Sequence, residues 1–158
     1  MQNKLFLSFF ICLFSVTQFS CVPKNNSKSI IVASSGKVRS LDPAKATKLK
    51  SLQLLASLGD TLYVLNSDGE LVPQLALGMP IISDDKLKII INLKEDIYFH
   101  DGTQFDAEAM KFSIDRFRRI GKHKYILGNK INNIEAPSKF KLVINLNKPS
   151  SSINALLT

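Results

Sequence analysis

Two histidines are the side chains of this sequence best suited to proton transfer or metal binding. His100 begins the run His100-Asp101-Gly102, and His123 lies further along the chain. A general base needs a substrate within hydrogen-bond reach, and a zinc site needs three or four ligands. A tight turn accounts for the run better, because the Asp101 carboxylate can bond back to the backbone and Gly102 tolerates positive φ. We therefore expect no catalytic residue, no metal site and no cofactor.

The N-terminal segment has the pattern of an export signal. Lys4 supplies a short positive region, and the apolar run Leu5–Val16 follows it. A run of this length suits the hydrophobic part of a signal peptide and is short for a membrane-spanning helix. We predict a signal peptide at residues 1–20.

Cys21 follows this segment directly and is a candidate for lipid attachment. Ser20-Cys21 resembles the end of bacterial lipoprotein signals, in which the cysteine is lipidated after cleavage. The polar, turn-rich residues 21–29 would then form a lipid-anchored tether. The predicted location is the periplasm or cell envelope, with the protein anchored to the membrane. Ordinary cleavage nearby, with Cys21 as an incidental thiol, is the alternative.

The short motifs of hydrolases are missing from the sequence. It has no Gly-x-Ser-x-Gly, no His-Glu-x-x-His and no cysteine–histidine pair. These absences favour a protein that is not an enzyme. An exported hydrolase stays open as an alternative, and its activity would depend on His100 or His123.

The densest basic cluster contains Arg116, Arg118 and Arg119, in a chain of 158 residues with a formal net charge of +8. A basic face of this kind can bind nucleic acid or another anion. We favour instead a solvated helix end, where cations also suit the helix dipole. An anion-binding module that uses the three arginines remains an alternative. The export signal argues against nucleic acid as a partner.

Strand and helix signals alternate along the rest of the chain. β-branched and apolar runs predict strands, and apolar residues at helical spacing predict helices. The predicted strands are Ile30–Ser34, Asp60–Leu65, Pro80–Ser83, Leu87–Leu93, Ile131–Ala136 and Phe140–Leu146. The predicted helices are Thr47–Leu58 and Ala107–Arg119, and Asp106 is a good N-cap for the second.

Short turns join neighbouring strands in this pattern. They are predicted at Asn66–Gly69, Asp84-Asp85 and Pro137–Lys139. Since hairpins replace regular βαβ units, the predicted fold class is α+β, a mixed arrangement of helices and strands.

Several segments, in this order along the chain, resemble one protein family. They are Ser40–Pro43, Asp60–Tyr63, Asp68–Ala76, Ser83–Asp85 and Tyr98–Glu108, followed by Lys111–Ser113 and Arg116. The most specific piece is Tyr98–Glu108, with the sequence YFHDGTQFDAE. Residues 30–157 are thus similar to the N-terminal part of the family 5 extracellular solute-binding proteins. These are the binding components of ABC importers for peptides, nickel and related solutes.

The resemblance implies part of a type II periplasmic-binding-protein fold, in which two lobes close around a ligand. Residues 30–65 would supply a first-lobe segment and residues 66–158 a small β-rich subdomain. Family members are several hundred residues long, so we expect an incomplete, N-terminal fragment. The implied function is the substrate-binding component of an ABC transporter for peptides or similar small solutes. Its implied partner is a permease in the inner membrane.

The loop after the first predicted strand borders the ligand cleft in this family. On that resemblance, Ser35, Gly36 and Ser40 could offer backbone and hydroxyl hydrogen bonds to a peptide-like ligand. Pro43 disfavours helical backbone at Asp42 and so fixes an extended loop. A loop with a purely structural role explains these residues equally well.

Overall fold

The computed structural model describes residues 31, 33 and 35–150. Residues 35–150 belong to one compact unit. The predicted signal peptide (1–20) and tether (21–29) lie outside the described residues, as does most of the strand predicted at Ile30–Ser34. The two described residues of that strand, Ile31 and Ala33, are not in a strand, so the prediction is wrong at these positions. The signal peptide and the tether stay predictions.

Three helices and six strands follow one another in the described part of the chain. The helices are α1 (Leu49–Leu55), α2 (Ala107–Ile120) and α3 (Lys124–Gly128). The strands are β1 (Tyr63–Leu65), β2 (Leu71–Pro73), β3 (Ile81–Ile82), β4 (Lys88–Asn92), β5 (Ile131–Ser138) and β6 (Lys141–Leu146). Their mixture confirms the predicted α+β class.

Four of the strands form an antiparallel sheet in the order β3-β4-β6-β5. In β4, Ile89 and Ile91 are buried while the first and last residues are exposed. This period of two is typical of a strand with one buried face. Ile89 lies opposite Ile144 of β6, and Ile91 lies opposite Leu142. All four side chains belong to the core.

The two edges of this sheet differ in chemistry. The β5 edge exposes Asn133 and Glu135, contains Pro137 and has two register shifts. Such features discourage pairing with a further strand. The β3 edge instead exposes the apolar side chains of Ile81 and Ile82. It is therefore the edge with more apolar surface in contact with solvent.

Helix α2 covers one face of the sheet and contacts β5, β6 and α3. Its N-cap is Asp106, whose carboxylate accepts a hydrogen bond from the Ala109 N–H at 2.8 Å, as predicted. The Ala107 N–H donates to the Lys139 carbonyl in the β5–β6 turn, at 2.8 Å. At the other end, a side chain on Gly121 would collide with the Phe117 carbonyl. A glycine therefore suits the position where the helix ends.

A separate two-stranded hairpin, β1–β2, shares the same core through Tyr63. Its turn is organised by Asn66, whose side-chain oxygen accepts from the N–H groups of Asp68 and Glu70 at 3.0 and 2.8 Å. Gly69 has a φ of +79°, a conformation that glycine adopts without steric cost. These contacts confirm the turn predicted at Asn66–Gly69.

Two short elements and one helix length differ from the sequence-based expectations. α3 and β2 were not predicted, since five and three residues are too few to show a period. The helix predicted at Thr47–Leu58 is regular only over Leu49–Leu55, and it continues as hydrogen-bonded turns to Gly59. The long hairpin of β5 and β6 is confirmed, but β5 continues to Ser138, so the turn lies at Lys139 and Phe140 and not at Pro137–Lys139.

Candidate functional site

The candidate site is the loop Ser35–Ala46, which precedes α1. Ser35 is exposed, and Gly36 and Ser40 are half-buried. The Ser40 hydroxyl oxygen accepts a hydrogen bond from the Asp42 N–H at 3.1 Å. A serine hydroxyl also carries a proton that it can donate to a second partner. Ser40 is thus both a structural acceptor in the loop and a potential donor to a ligand.

Gly36 lies against the aliphatic part of the Lys50 side chain. A Cβ atom at residue 36 would overlap the Lys50 Cγ atom. The glycine therefore allows the loop to approach α1 closely. The structure gives Gly36 and Ser40 different neighbours, Lys50 for the first and Asp42 for the second.

Asp42 organises the second half of the loop. Its carboxylate accepts from the Ala44 N–H at 3.1 Å, and its carbonyl accepts from the N–H groups of Lys45 and Ala46 at 3.0 and 2.9 Å. The result is a single turn that begins after Ser40, with Ala44 and Ala46 buried beneath it. Such side-chain to backbone bonds are typical of aspartate in turns.

The same carboxylate forms a two-pronged ion pair with Arg116 of α2. The guanidinium donates to both carboxylate oxygens of Asp42, at 2.8 and 2.7 Å. These hydrogen bonds are the largest cause that lowers the pKa of Asp42 from 3.8 to about 2. The pair also raises the pKa of Arg116. Nearby, the Lys122 N–H donates to the Ala44 carbonyl at 2.9 Å.

The Asp42–Arg116 pair is the feature that sequence reasoning missed. Both residues lie in segments that carry the family resemblance, but the sequence gives no sign that they meet. They are 74 positions apart. Along the sequence, Arg116 belongs instead to a basic cluster with Arg118 and Arg119.

The three arginines do not form one anion site. Arg116 is occupied by Asp42, and Arg118 donates to Asp115 at 3.0 Å and to the Ile131 carbonyl at 2.8 Å. Arg119 is exposed. The groove of about 560 Å³ beside Arg118 and Arg119 is also lined by carboxylates. This geometry counts against the alternative of an anion-binding module built from Arg116, Arg118 and Arg119.

The run around His100 is a tight turn, as predicted. The Thr103 N–H and hydroxyl donate to the Asp101 carboxylate at 2.9 and 2.6 Å, and Gly102 has a φ of +85°. The bonds from Thr103 lower the pKa of Asp101.

The second histidine, His123, has its Nδ1 atom 3.3 Å from the Tyr125 hydroxyl. Within residues 31, 33 and 35–150, no three or more histidine, cysteine or acidic side chains are grouped as metal ligands.

A helix that spans a membrane must be both long and apolar. Of its helices, none combines the length and the apolar character needed to cross a bilayer. Cys21, the predicted lipidation site, lies outside the described residues.

Comparison with known proteins identifies the family. The sequence profile of the bacterial extracellular solute-binding proteins, family 5 Middle, matches residues 70–158, more than half of the chain. The chain belongs to this family. The resemblance found in the sequence is thereby confirmed.

Individual relatives are similar over most of this chain. The glutathione-binding protein GsiB of Salmonella paratyphi A is 29% identical over 143 residues, which cover 89% of this chain and 28% of GsiB. Listeria monocytogenes OppA bound to peptide matches with a TM-score of 0.69 and 27% identity, over 75% of this chain and 26% of OppA. NikA from Brucella suis in complex with Fe(III)-EDTA matches with a TM-score of 0.56 and 32% identity, over 62% and 20% of the two chains.

These matches define how much of the family fold is present. The chain spans about a quarter of the length of the relatives that it matches. Its α+β structure is therefore an incomplete part of the periplasmic-binding-protein fold. The relatives are solute-binding proteins and not enzymes, which is consistent with a protein that is not an enzyme. Members of the family are extracellular or periplasmic.

Proposed function

We propose that this chain is part of the substrate-binding component of an ABC transporter for peptides or similar small solutes. The observation that carries this proposal is the match to OppA bound to peptide over 75% of the chain. The similarity to a glutathione-binding protein supports the same ligand class, because glutathione is itself a tripeptide.

The loop Ser35–Ala46 supplies the ligand contacts in this proposal. A peptide backbone presents alternating N–H and C=O groups, which pair with backbone amides and hydroxyls. Ser35, Gly36 and Ser40 offer both kinds of group. The exposed position of Ser35 and the free hydroxyl proton of Ser40 support this role.

The proposal also includes a location at the cell envelope. The signal peptide at residues 1–20 is removed, Cys21 is lipidated, and residues 21–29 tether the domain to the membrane. The bound solute is then passed to a permease in the inner membrane. Cys21→Ser abolishes incorporation of radiolabelled palmitate in this scheme, and continued labelling of that variant would refute the anchor.

Calorimetric titration tests the ligand class. The protein, in the form in which the cell makes it, is titrated separately with reduced glutathione, with trialanine and with a nickel–histidine complex. We expect heat of binding from at least one of the two peptides and a weaker response to nickel–histidine. A response to nickel–histidine alone, or to none of the three, would overturn a peptide ligand.

Two serine variants test the loop in the same titration. Ser40→Ala removes a potential ligand donor and is expected to weaken binding by about tenfold, the effect of one lost hydrogen bond. Ser113→Ala, on the exposed side of α2, is the matched control and should leave the affinity unchanged. Equal affinities for the two variants would show that Ser40 does not contact the ligand.

A further inference from the structure

Three hydrogen bonds attach the candidate loop to α2 and to the residues just after it. The carboxylate of Asp42 holds the guanidinium of Arg116 at 2.7 and 2.8 Å. The carbonyl of Ala44 accepts from the Lys122 N–H at 2.9 Å, just beyond the end of α2. Ala44 and Ala46, in the same turn of the loop, are buried. The end of one helix therefore holds a loop that is distant in sequence.

The loop is followed in sequence by α1, which is short and has no side-chain cap. α1 has seven residues, and Lys48 at its start makes no side-chain capping bond. Leu49 and Leu52 of this helix are exposed. A short helix without a cap and with exposed leucines has little intrinsic stability. The order of the loop thus depends strongly on its attachment to α2.

The geometry of the ion pair suits this task. Two parallel N–H···O bonds fix the orientation of the two groups as well as their distance. The Asp42 and Arg116 side chains are 24% and 33% exposed, so the surrounding protein shields part of the pair from water. Lysine at residue 116 could supply the charge but not the planar pair of donors.

We propose that Asp42 and Arg116 form a positioning pair, through which α2 holds the loop Ser35–Ala46 in its ligand-binding conformation. This inference rests on the proposed function for the identity of the ligand and for the role of the loop in binding it. Arg116 is a positioning residue, since both ends of its guanidinium are bonded to Asp42. The predicted β-rich subdomain, to which α2 belongs, thereby acquires a role in binding.

Hydrogen exchange measured by mass spectrometry tests the attachment directly. Arg116→Met keeps the aliphatic part of the side chain and removes the donors. We expect the amides of Ala44, Lys45 and Ala46 to exchange about tenfold faster in this variant, because the turn they close opens more often. Exchange in β4 and β6 should stay as in the unmodified protein. Unchanged exchange at residues 44–46 would overturn the proposal.

Three further variants separate the pair from general effects of substitution. Arg119→Met changes an exposed arginine on the same helix and should leave the loop amides unchanged. Asp42→Asn keeps the shape of the side chain but removes its charge. It replaces Arg116→Met in the exchange measurement if Arg116→Met fails to fold, with the same faster exchange expected. The exchanged pair Asp42→Arg with Arg116→Asp should recover part of the protection. If the loop amides open as readily in Arg119→Met as in Arg116→Met, the pair has no specific role.

Titration with reduced glutathione, or with trialanine if that binds better, separates this inference from the proposed function. If the unmodified protein binds neither peptide, the proposed function fails, and the exchange data still decide whether the pair holds the loop. If the unmodified protein binds, Arg116→Met should bind about tenfold more weakly, and the exchanged pair should regain part of the affinity. Full affinity in Arg116→Met despite a faster-exchanging loop would refute the role in positioning.

Discussion

The buried hydroxyl of Tyr63 should make the protein sensitive to alkaline pH. The side chain is fully buried, and its hydroxyl donates to the Gly78 carbonyl at 3.2 Å. Burial raises the pKa of Tyr63 from 10.0 to about 12, because the phenolate would lose its hydration inside the core. Tyr63→Phe removes the ionisable group and keeps the ring.

At neutral pH this substitution should destabilise the fold by about 1 kcal/mol, the net value of one buried hydrogen bond. Above the ordinary pKa of 10.0, the unfolded chain loses the Tyr63 proton while the folded chain keeps it. The unfolded state then binds fewer protons, so stability falls as pH rises. The free energy of unfolding that is lost through Tyr63 is about 1.4 kcal/mol at pH 11 and approaches about 2.7 kcal/mol above pH 12.

The two effects have opposite signs, so the order of stability should reverse. The unmodified protein is more stable below about pH 10.5, and Tyr63→Phe is more stable above about pH 11. Urea unfolding at a series of pH values measures this difference. The difference in absorbance at 295 nm between the two proteins follows ionisation of Tyr63 itself.

Tyr98→Phe is the matched control, because Tyr98 is 61% exposed. It should keep the alkaline loss of stability that depends on Tyr63. A free energy of unfolding that falls in parallel for the unmodified protein and Tyr63→Phe would show that burial of this hydroxyl has no effect on pH sensitivity.

Three further predictions concern stability and are measured by urea unfolding. Gly102→Ala should lower the free energy of unfolding by about 1 kcal/mol because of the positive φ alone, since a Cβ at residue 102 would contact no other atom. Gly59→Ala has equal space without a positive φ and should lower the free energy of unfolding by less than about 0.5 kcal/mol. Equal losses in the two variants would contradict this. Asp106→Ala should lower the free energy of unfolding by about 1 kcal/mol, because it removes the N-cap of α2. An unchanged urea midpoint would show that the cap contributes nothing to stability. Ile144→Ala should cost about 2–5 kcal/mol and Ile81→Ala less than about 1 kcal/mol, because the first is fully buried and the second is exposed; similar losses would place the core elsewhere.

Elements with a strong local signal were predictable from the sequence. α2 has an N-cap at Asp106 and a long amphipathic pattern, and it is confirmed almost to the residue. The β5–β6 hairpin combines two apolar runs with a turn, and it is confirmed too. The first predicted helix was too long because its last apolar positions, Ala56 and Leu58, lie in hydrogen-bonded turns after the regular helix has ended at Leu55. Apolar spacing predicts a helix, but it does not decide which part of the helix is regular.

The candidate loop was predictable only through the family resemblance, and its attachment was not predictable at all. Aspartate in a loop and arginine on a helix are common, and tertiary structure decides whether they meet. Arg116 and Arg118 are also neighbours in the sequence, but residues two apart on a helix are rotated by about 200° about its axis and so lie on different faces. Arg116 therefore reaches Asp42 while Arg118 reaches Asp115 and the start of β5.

The 74-residue separation of Asp42 and Arg116 has a consequence for the order in which the protein folds. At about 5–20 residues per second, a ribosome needs roughly 4–15 s to add the residues between them. During that interval the early loop has no arginine to hold it. Closing so long a loop also costs entropy, which favours a late contact. The loop Ser35–Ala46 is synthesised before α2, yet it is thus expected to be among the last parts to reach its final conformation, after α2 has formed on the sheet.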